Sequence, residues 1–240
     1  MMKASGELVK KLKKQKREND FLLFLDNQKI INDAISQGAK PLLALATDES
    51  LFPNINCEKY LTTSSVIQDL ADVKTPRGVV VMLEYTQDVV LCPKKDFLVL
   101  DRLQDPGNVG SLVRSALASG MDCVFLLDSV KPTNAKLVRS SAGALFNIPV
   151  YSMSEQEFIT FAKENNLTLA KTDMKGQSVF EFNPTSPLGI VIGNEGNGVS
   201  KEVADICQIT LTIPMNKGIE SLNAAVSGSV IMFEIASKRK

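Results

Sequence analysis

A chain of 240 residues with 44% hydrophobic content can bury a sizeable core, and we expect two small domains in preference to one large one. The absence of histidine removes Ser-His-Asp and Cys-His hydrolases, histidine general bases and most transition-metal sites. Lys plus Arg and Asp plus Glu balance at 27 each, but residues 1–17 hold seven basic groups against Glu7, a local balance of +6 that leaves −6 for the remainder.

That basic opening (Lys3, Lys10, Lys11, Lys13, Lys14, Lys16, Arg17) suits contact with a polyanion, because each phosphate neutralised releases counterions. The plainer reading is a solvated helix with Leu8, Val9 and Leu12 as its buried stripe, and charge alone favours it; a mitochondrial presequence is a third option. No run of about 18 apolar residues follows, and the first 20 residues lack the apolar stretch of a secretory signal. A soluble, intracellular protein is expected, cytoplasmic with an organelle not excluded. The cysteines Cys57, Cys92, Cys123 and Cys207 lack C-x-x-C spacing and read as reduced core residues. No metal is expected.

From Phe21, strand candidates "FLLFL", "PLLALAT" and "GVVVML" (78–83) alternate with helices near 28–37 and 64–72. Residues 1–84 therefore read as a small α/β domain behind its basic helix. Residues 85–96, with Pro93-Lys94-Lys95, read as a linker, and 97–240 as a second domain. There, six apolar runs at 97–100, 123–127, 148–151, 167–170, 189–193 and 209–213 alternate with helical segments. Such runs imply a parallel sheet covered on both faces, with a ligand beyond the carboxyl ends of its strands. The loops after 100, 170, 193 and 213 are the candidates.

Three segments carry polar groups at those loops. In "LDRLQDPGNVGSLVRSALASG" (100–120), Asp105-Pro106-Gly107 makes a turn, Asn108 can cap the helix and Gly120 suits its end. Val109, Leu112, Val113, Ala116 and Leu117 form its apolar stripe. Arg114 lies off that stripe, either an ordinary surface arginine or a fork of donors for a partner or an RNA phosphate. In "LGIVIGNEGNGVS" (188–200), Gly193, Gly196 and Gly198 allow close backbone approach, while Glu195 has no packing role. The loop has neither the lysine of a phosphate loop nor the G-x-G-x-x-G spacing of a dinucleotide site. In "IPMNKGIESLNAAVSGSVIMFEIASK" (213–238), Glu220-Ser221-Leu222-Asn223 leads into a helix whose small residues let backbone press against it. Ser221 alone could be a simple cap.

In this order and spacing, the three segments resemble the signature motifs of the SpoU (TrmH-like) branch of the SPOUT RNA methyltransferases, over about residues 97–238. Residues 1–84 are similar, more weakly, to the ribosomal-protein-like RNA-binding domain that precedes the catalytic domain in many members. Those members usually carry an acidic residue and glycine where this chain has Asp26-Asn27. The resemblance implies a parallel-sheet α/β domain with a deep trefoil knot. It implies S-adenosylmethionine (AdoMet) bound by Thr172, Gly193, Asn194, Gly196, Ile213, Met215, Ser221, Leu222 and Asn223. It implies catalysis of ribose 2′-O-methylation by Asn108, Arg114, Glu195, Ser221 and Asn223, in a homodimer with the site at its interface. Ribosomal RNA is the expected substrate on account of the extra domain. The alternatives are transfer RNA, a non-catalytic RNA-binding or ribosome-associated protein of the same fold, and, least favoured, another nucleotide-binding α/β enzyme.

Overall fold

The computed structural model describes residues 2–19, 21–71, 73, 75–85, 90–184, 187–216, 218 and 221–239. Residues 86–89 of the expected linker and Glu220 of the third motif lie outside them. The chain divides into two compact units, Met1–Thr86 with Thr133–Arg139, and Gln87–Pro132 with Ser140–Lys240.

The first unit runs β1 (Met2–Lys3), α1 (Gly6–Glu18), β2 (Leu22–Leu25), α2 (Gln28–Ser36), β3 (Lys40–Ala46), β4 (Glu58–Leu61), α3 (Ser64–Ala71) and β5 (Val79–Glu84). Its mixed sheet has the order β1-β4-β3-β5-β2. Leu12, Leu45, Ile67, Leu70 and Val80 form the centre of its core, each almost fully buried. At the Asp26-Asn27 departure, Asn27 takes the cap of α2, its Oδ1 accepting from the amides of Lys29 and Ile30 at 3.0 and 3.3 Å. Its φ of −103° is open to any residue, so nothing in this backbone demands glycine there.

The second unit builds on β6 (Phe97–Asp101), α4 (Pro106–Ser119), β7 (Val124–Leu127), β8 (Val150–Met153), α6 (Glu155–Glu164), β9 (Thr168–Ser178), β10 (Leu188–Ile192), α7 (Lys201–Ala204), β11 (Ile209–Thr212) and α8 (Ala224–Ser237); α5 (Ala135–Ser140), which follows β7 in sequence, falls with the first unit except for its last residue. All six strand runs read from the sequence are present. They form a sheet of order β11-β9-β10-β6-β7-β8 in which every pair is parallel. Every residue of β6, β7 and β10 is buried, as two-sided cover requires. β9 runs longer than the apolar run predicted. Thr210 pairs with Lys171 but Leu211 with Gln177, so residues 172–176 leave the ladder as an exposed excursion.

This strand order opens the kind of crevice in which such sheets bind ligands. From β6 the chain moves outward through β7 to β8; from β10 it passes the other way, beyond β9, to β11. Neighbouring β6 and β10 thus send their connections in opposite directions, which opens a crevice at their carboxyl ends.

Close approach of helices frames that crevice. On α8, a Cβ at Gly228 would stand 2.4 Å from Leu112 Cδ2 of α4 and 3.4 Å from two Ile192 carbons of β10. The Ser115 and Ser229 hydroxyls meet at 2.7 Å across the same pair of helices. The small residues of α8 therefore serve helix-on-helix contact. The predicted stripe of α4 holds for Val109, Leu112, Val113 and Ala116 but not for Leu117, which is 38% exposed.

The four cysteines are free thiols. Burial pushes Cys123 and Cys207 up to about 12. Cys123 is a core residue as expected, whereas Cys92 is exposed. Among the described residues no helix is long and apolar enough to cross a membrane.

Candidate active site

Asp105, not Asn108, caps α4. Its Oδ1 accepts from the Gly107 amide at 2.8 Å, and Pro106 takes the first helical position, where its missing N–H costs nothing. Asn108 is thereby released from capping and is the third residue of the first turn, with its side-chain amide bonded across the crevice. Asn108 Nδ2 donates to Glu195 Oε1 at 2.9 Å, across 87 residues of sequence. Its Oδ1 accepts from Asn223 Nδ2 at 3.0 Å, across 115. Asn223, not Ser221, caps α8, its Oδ1 accepting from the amides of Ala225 and Val226 at 2.9 and 3.2 Å.

The direction of this chain of bonds follows from its end. Helix amides can only donate, so Asn223 must present Oδ1 to them and Nδ2 to Asn108. Asn108 must answer with its oxygen, which leaves its Nδ2 for Glu195. One residue from each of the three motifs is thus joined at the mouth of the β6/β10 crevice, and the Glu195 carboxylate is held by a donor whose orientation is determined.

Beneath Glu195 the glycine-rich loop is closed on itself. Asn194 N donates to Gly198 O at 3.0 Å and Gly198 N to Asn194 O at 2.9 Å. Asn194 Oδ1 accepts from the amides of Gly196 and Asn197 at 3.0 and 3.2 Å, while its Nδ2 donates to the Arg102 carbonyl at 3.0 Å. Gly193 is the position where no side chain fits, since a Cβ would lie 2.2 Å from both Gly198 C and Val199 N.

A polar cluster that the sequence did not announce supports this loop from below. Asp101, fully buried at the end of β6, accepts from the Ser200 amide through Oδ2 at 2.6 Å. Arg102 follows with φ +55°, a left-handed conformation that is rare for a side chain of this kind. Its Nε donates to Asp101 Oδ1 at 3.3 Å, and its Nη2 reaches the Gly198 carbonyl at 3.5 Å. The same Nε is 3.1 Å from Glu155 Oε1, which nonetheless accepts no hydrogen bond because the N–H is aimed at Asp101. Burial, followed by the neighbouring Asp101 carboxyl, raises the Glu155 pKa above the ordinary carboxylate range. The only signal in the sequence was three polar residues, Asp101, Arg102 and Gln104, just after a fully apolar strand.

The remaining expected residues take varied positions. Thr172 spends its hydroxyl on the Val191 carbonyl at 3.1 Å, fastening the start of the β9 excursion to β10. Ile213 is half-buried just beyond β11, and Met215 and Leu222 are each 37% exposed on the loop that follows. Ser221 is exposed. Arg114 is exposed on α4, and among the described residues neither it nor Ser221 is joined to the Asn223–Asn108–Glu195 chain. Among the described residues no three potential metal ligands cluster.

Known proteins are similar to this chain in sequence and in fold. The 23S rRNA (guanosine(2553)-2′-O)-methyltransferase RlmP of Bacillus subtilis (strain 168) is 25% identical over 230 residues, 93% of this chain and 91% of its own. The uncharacterized tRNA/rRNA methyltransferase slr1673 of Synechocystis sp. is 31% identical over 206 residues, 84% of this chain and 73% of its own. Among solved structures, the SpoU methyltransferase AviRb from Streptomyces viridochromogenes in complex with the cofactor AdoMet superposes with a TM-score of 0.87 at 25% identity, covering 98% of both chains. The AdoMet-bound rRNA methyltransferase from Sinorhizobium meliloti shares the fold, with a TM-score of 0.85 at 21% identity over 99% of this chain and 97% of its own. The SpoU rRNA Methylase family profile matches residues 95–233, which takes in the first two motif segments whole and the third as far as residue 233. The chain is an RNA methyltransferase and belongs to the SpoU rRNA Methylase family.

Proposed function

We propose that the protein transfers the methyl group of AdoMet to a ribose 2′-hydroxyl of ribosomal RNA, at the carboxyl edge of β6, β9, β10 and β11. The observation that carries this reading is the Asn223–Asn108–Glu195 chain, which gathers three motifs at one crevice. The residues around it fit the cofactor. Exposed Met215 and Leu222 offer apolar surface for a flat base, and the loops are rich in main-chain polar groups, without the sequence spacing of a phosphate loop. Thr172, Gly193, Asn194, Gly196, Ile213, Met215, Ser221, Leu222 and Asn223 would hold it. The side chains of Thr172 and Asn194 act indirectly, by shaping the loops they are bonded into.

When bound, AdoMet supplies an electrophilic sulfonium methyl. A ribose 2′-hydroxyl that received this methyl group would have to give up its proton. A guanidinium keeps its proton, with a pKa above about 12, so Arg114 serves as a clamp on the phosphate beside the target ribose. The proton departs late, toward the phosphate oxygen so held. Asn108 and Asn223 fix Glu195, and Ser221 stands ready at the same rim.

The family resemblance further supports a trefoil knot in residues 97–240, a linker at 85–96 and a ribosomal-protein-like RNA-binding domain in residues 1–84. It supports a cytoplasmic homodimer with the site at its interface. In keeping with a second copy, α8 leaves Val226 and Phe233, seven residues apart on one face, each 50% exposed. The decisive experiment pairs calorimetry with AdoMet against methyl transfer to ribosomal and transfer RNA, with the 2′-O-methyl position mapped. Tight cofactor binding with no transfer to any RNA would sink the catalytic reading; transfer to transfer RNA alone would move the substrate.

A further inference from the structure

Helix α1 lies outside residues 95–233, so the family match assigns it nothing. It is anchored by a narrow seam. Leu12 is 1% exposed in the first unit's core, Leu8 and Val9 are half-buried, and Ser5 caps the helix through the Leu8 amide at 3.1 Å. The flanking lysines reinforce the seam, since Lys13 donates to the Asp69 carboxylate of α3 and Lys16 to the Asp69 carbonyl at 3.1 Å. These contacts account for two of the six cations on the helix.

The others are placed differently. At about 100° per residue, Lys10, Lys14 and Arg17 fall within roughly 60° of one another, on the side opposite Leu8 and Leu12. All three are exposed, as is Lys11 beside them. Lys14 lies 3.7 Å from Glu18, both about two-thirds exposed, a separation at which such a pair contributes little. Among the described residues no ion pair involves Lys10, Lys11 or Arg17. Complementing the helix dipole would call for cations in the last turn only, which leaves Lys10 and Lys14 unexplained.

We infer that the stripe Lys10–Lys14–Arg17 is a phosphate-tracking surface that binds the backbone of the RNA substrate without reading its bases. Seven residues of helix span about 10 Å, enough to meet about two or three successive phosphates. Lysines suit point contacts of this kind and carry no base-specific geometry. The inference rests on the RNA methyltransferase reading, and the two fail differently.

The test uses full-length protein and a fluorescein-labelled 30-nucleotide RNA hairpin, with anisotropy titrations from low to high salt. Lys10→Gln/Lys14→Gln/Arg17→Gln is compared with wild type and with a charge-matched control, Lys94→Gln/Lys163→Gln/Lys201→Gln, of exposed lysines outside residues 1–84. The helix variant should bind at least about tenfold more weakly near physiological salt, with a log–log salt slope shallower by about 2, from ~0.7 to 0.9 per phosphate. AdoMet affinity should be unchanged in all three proteins. A helix variant with the wild-type slope, or a control that loses as much as the helix variant, overturns the inference alone. A wild type that binds AdoMet but no RNA overturns the RNA reading as well.

Discussion

The closed glycine loop makes a quantitative claim about Gly193. An alanine there would place its methyl carbon 2.2 Å from two backbone atoms, Gly198 C and Val199 N, where carbon contacts prefer about 3.5 to 4.0 Å. Backbone cannot swing aside as a side chain can, so the loop must open by more than about 1 Å. That opening carries the Asn194–Gly198 hydrogen bonds, at 3.0 and 2.9 Å, out of range. Two bonds at about 1 kcal/mol each, with residual strain of about 1 to 2 kcal/mol, make a cost of about 3 to 4 kcal/mol. For a domain of this size that is a fall in Tm of roughly 5 to 15 °C. The other loop glycines calibrate the reasoning. Gly198 has φ +67° and nothing within 4 Å, so Gly198→Ala should cost only the left-handed penalty of about 1 to 2 kcal/mol. Gly196 meets only Asn194 Oδ1, at 3.6 Å, and Gly196→Ala should be nearly neutral. Thermal unfolding beside AdoMet calorimetry reads both effects, and Gly193→Ala should also lose at least tenfold in cofactor affinity. A Gly193→Ala protein within about 1 °C of wild type with unchanged affinity would refute the close approach, as would Gly196→Ala being the most damaging of the three.

Two further outcomes follow from the site. Asn108→Ala removes the link that joins Asn223 to Glu195 among the described residues and should lower single-turnover methyl transfer at least about tenfold while leaving AdoMet affinity within about twofold; Arg114→Lys should do the same by replacing a planar fork with a point charge. Full activity in Arg114→Lys would count against the phosphate clamp. For Glu155, the folded pKa stands above the unfolded one, chiefly through burial. Its contribution to stability is therefore complete below the ordinary glutamate range, about 4.3, and is lost as pH rises through the raised value. Glu155→Gln does not titrate, so its Tm relative to wild type should become more favourable as pH rises from the ordinary glutamate range through the raised folded value; a flat or closing gap would show that the carboxyl is not disfavoured in the fold.

The second unit's sheet was legible because its strands are apolar at every position, a pattern that only two-sided burial explains. β4, "EKYL", carries no such pattern; it owes its existence to pairing with β1 and β3, which no local signal encodes. The excursion at 172–176 was equally hidden, since it depends on where β11 resumes pairing. Reading Asn108 and Ser221 as caps missed a usable sign. Pro106 marks the first helical position and so hands the cap to the residue before it, Asp105. Arg102 could not have been foreseen, because its left-handed backbone and its place between Asp101, Glu155 and the Gly198 carbonyl exist only once β6, α6 and the glycine loop have come together.

The correction at the two caps changes how the site is understood. Had Asn108 capped α4, its oxygen would have been spent on helix amides and could not have received Asn223. Because Asp105 caps α4, the Asn108 side chain is left free to donate and accept across the crevice. Because Asn223 caps α8, its own amide cannot flip. The orientation of Glu195 is therefore set by the start of a helix 115 residues further along the chain than Asn108, and the contact between α8 and α4 at Gly228 holds that start in place. In a chain without histidine, groups that do not titrate near neutral pH must act by position, and here the groups that end the helices also fix that position.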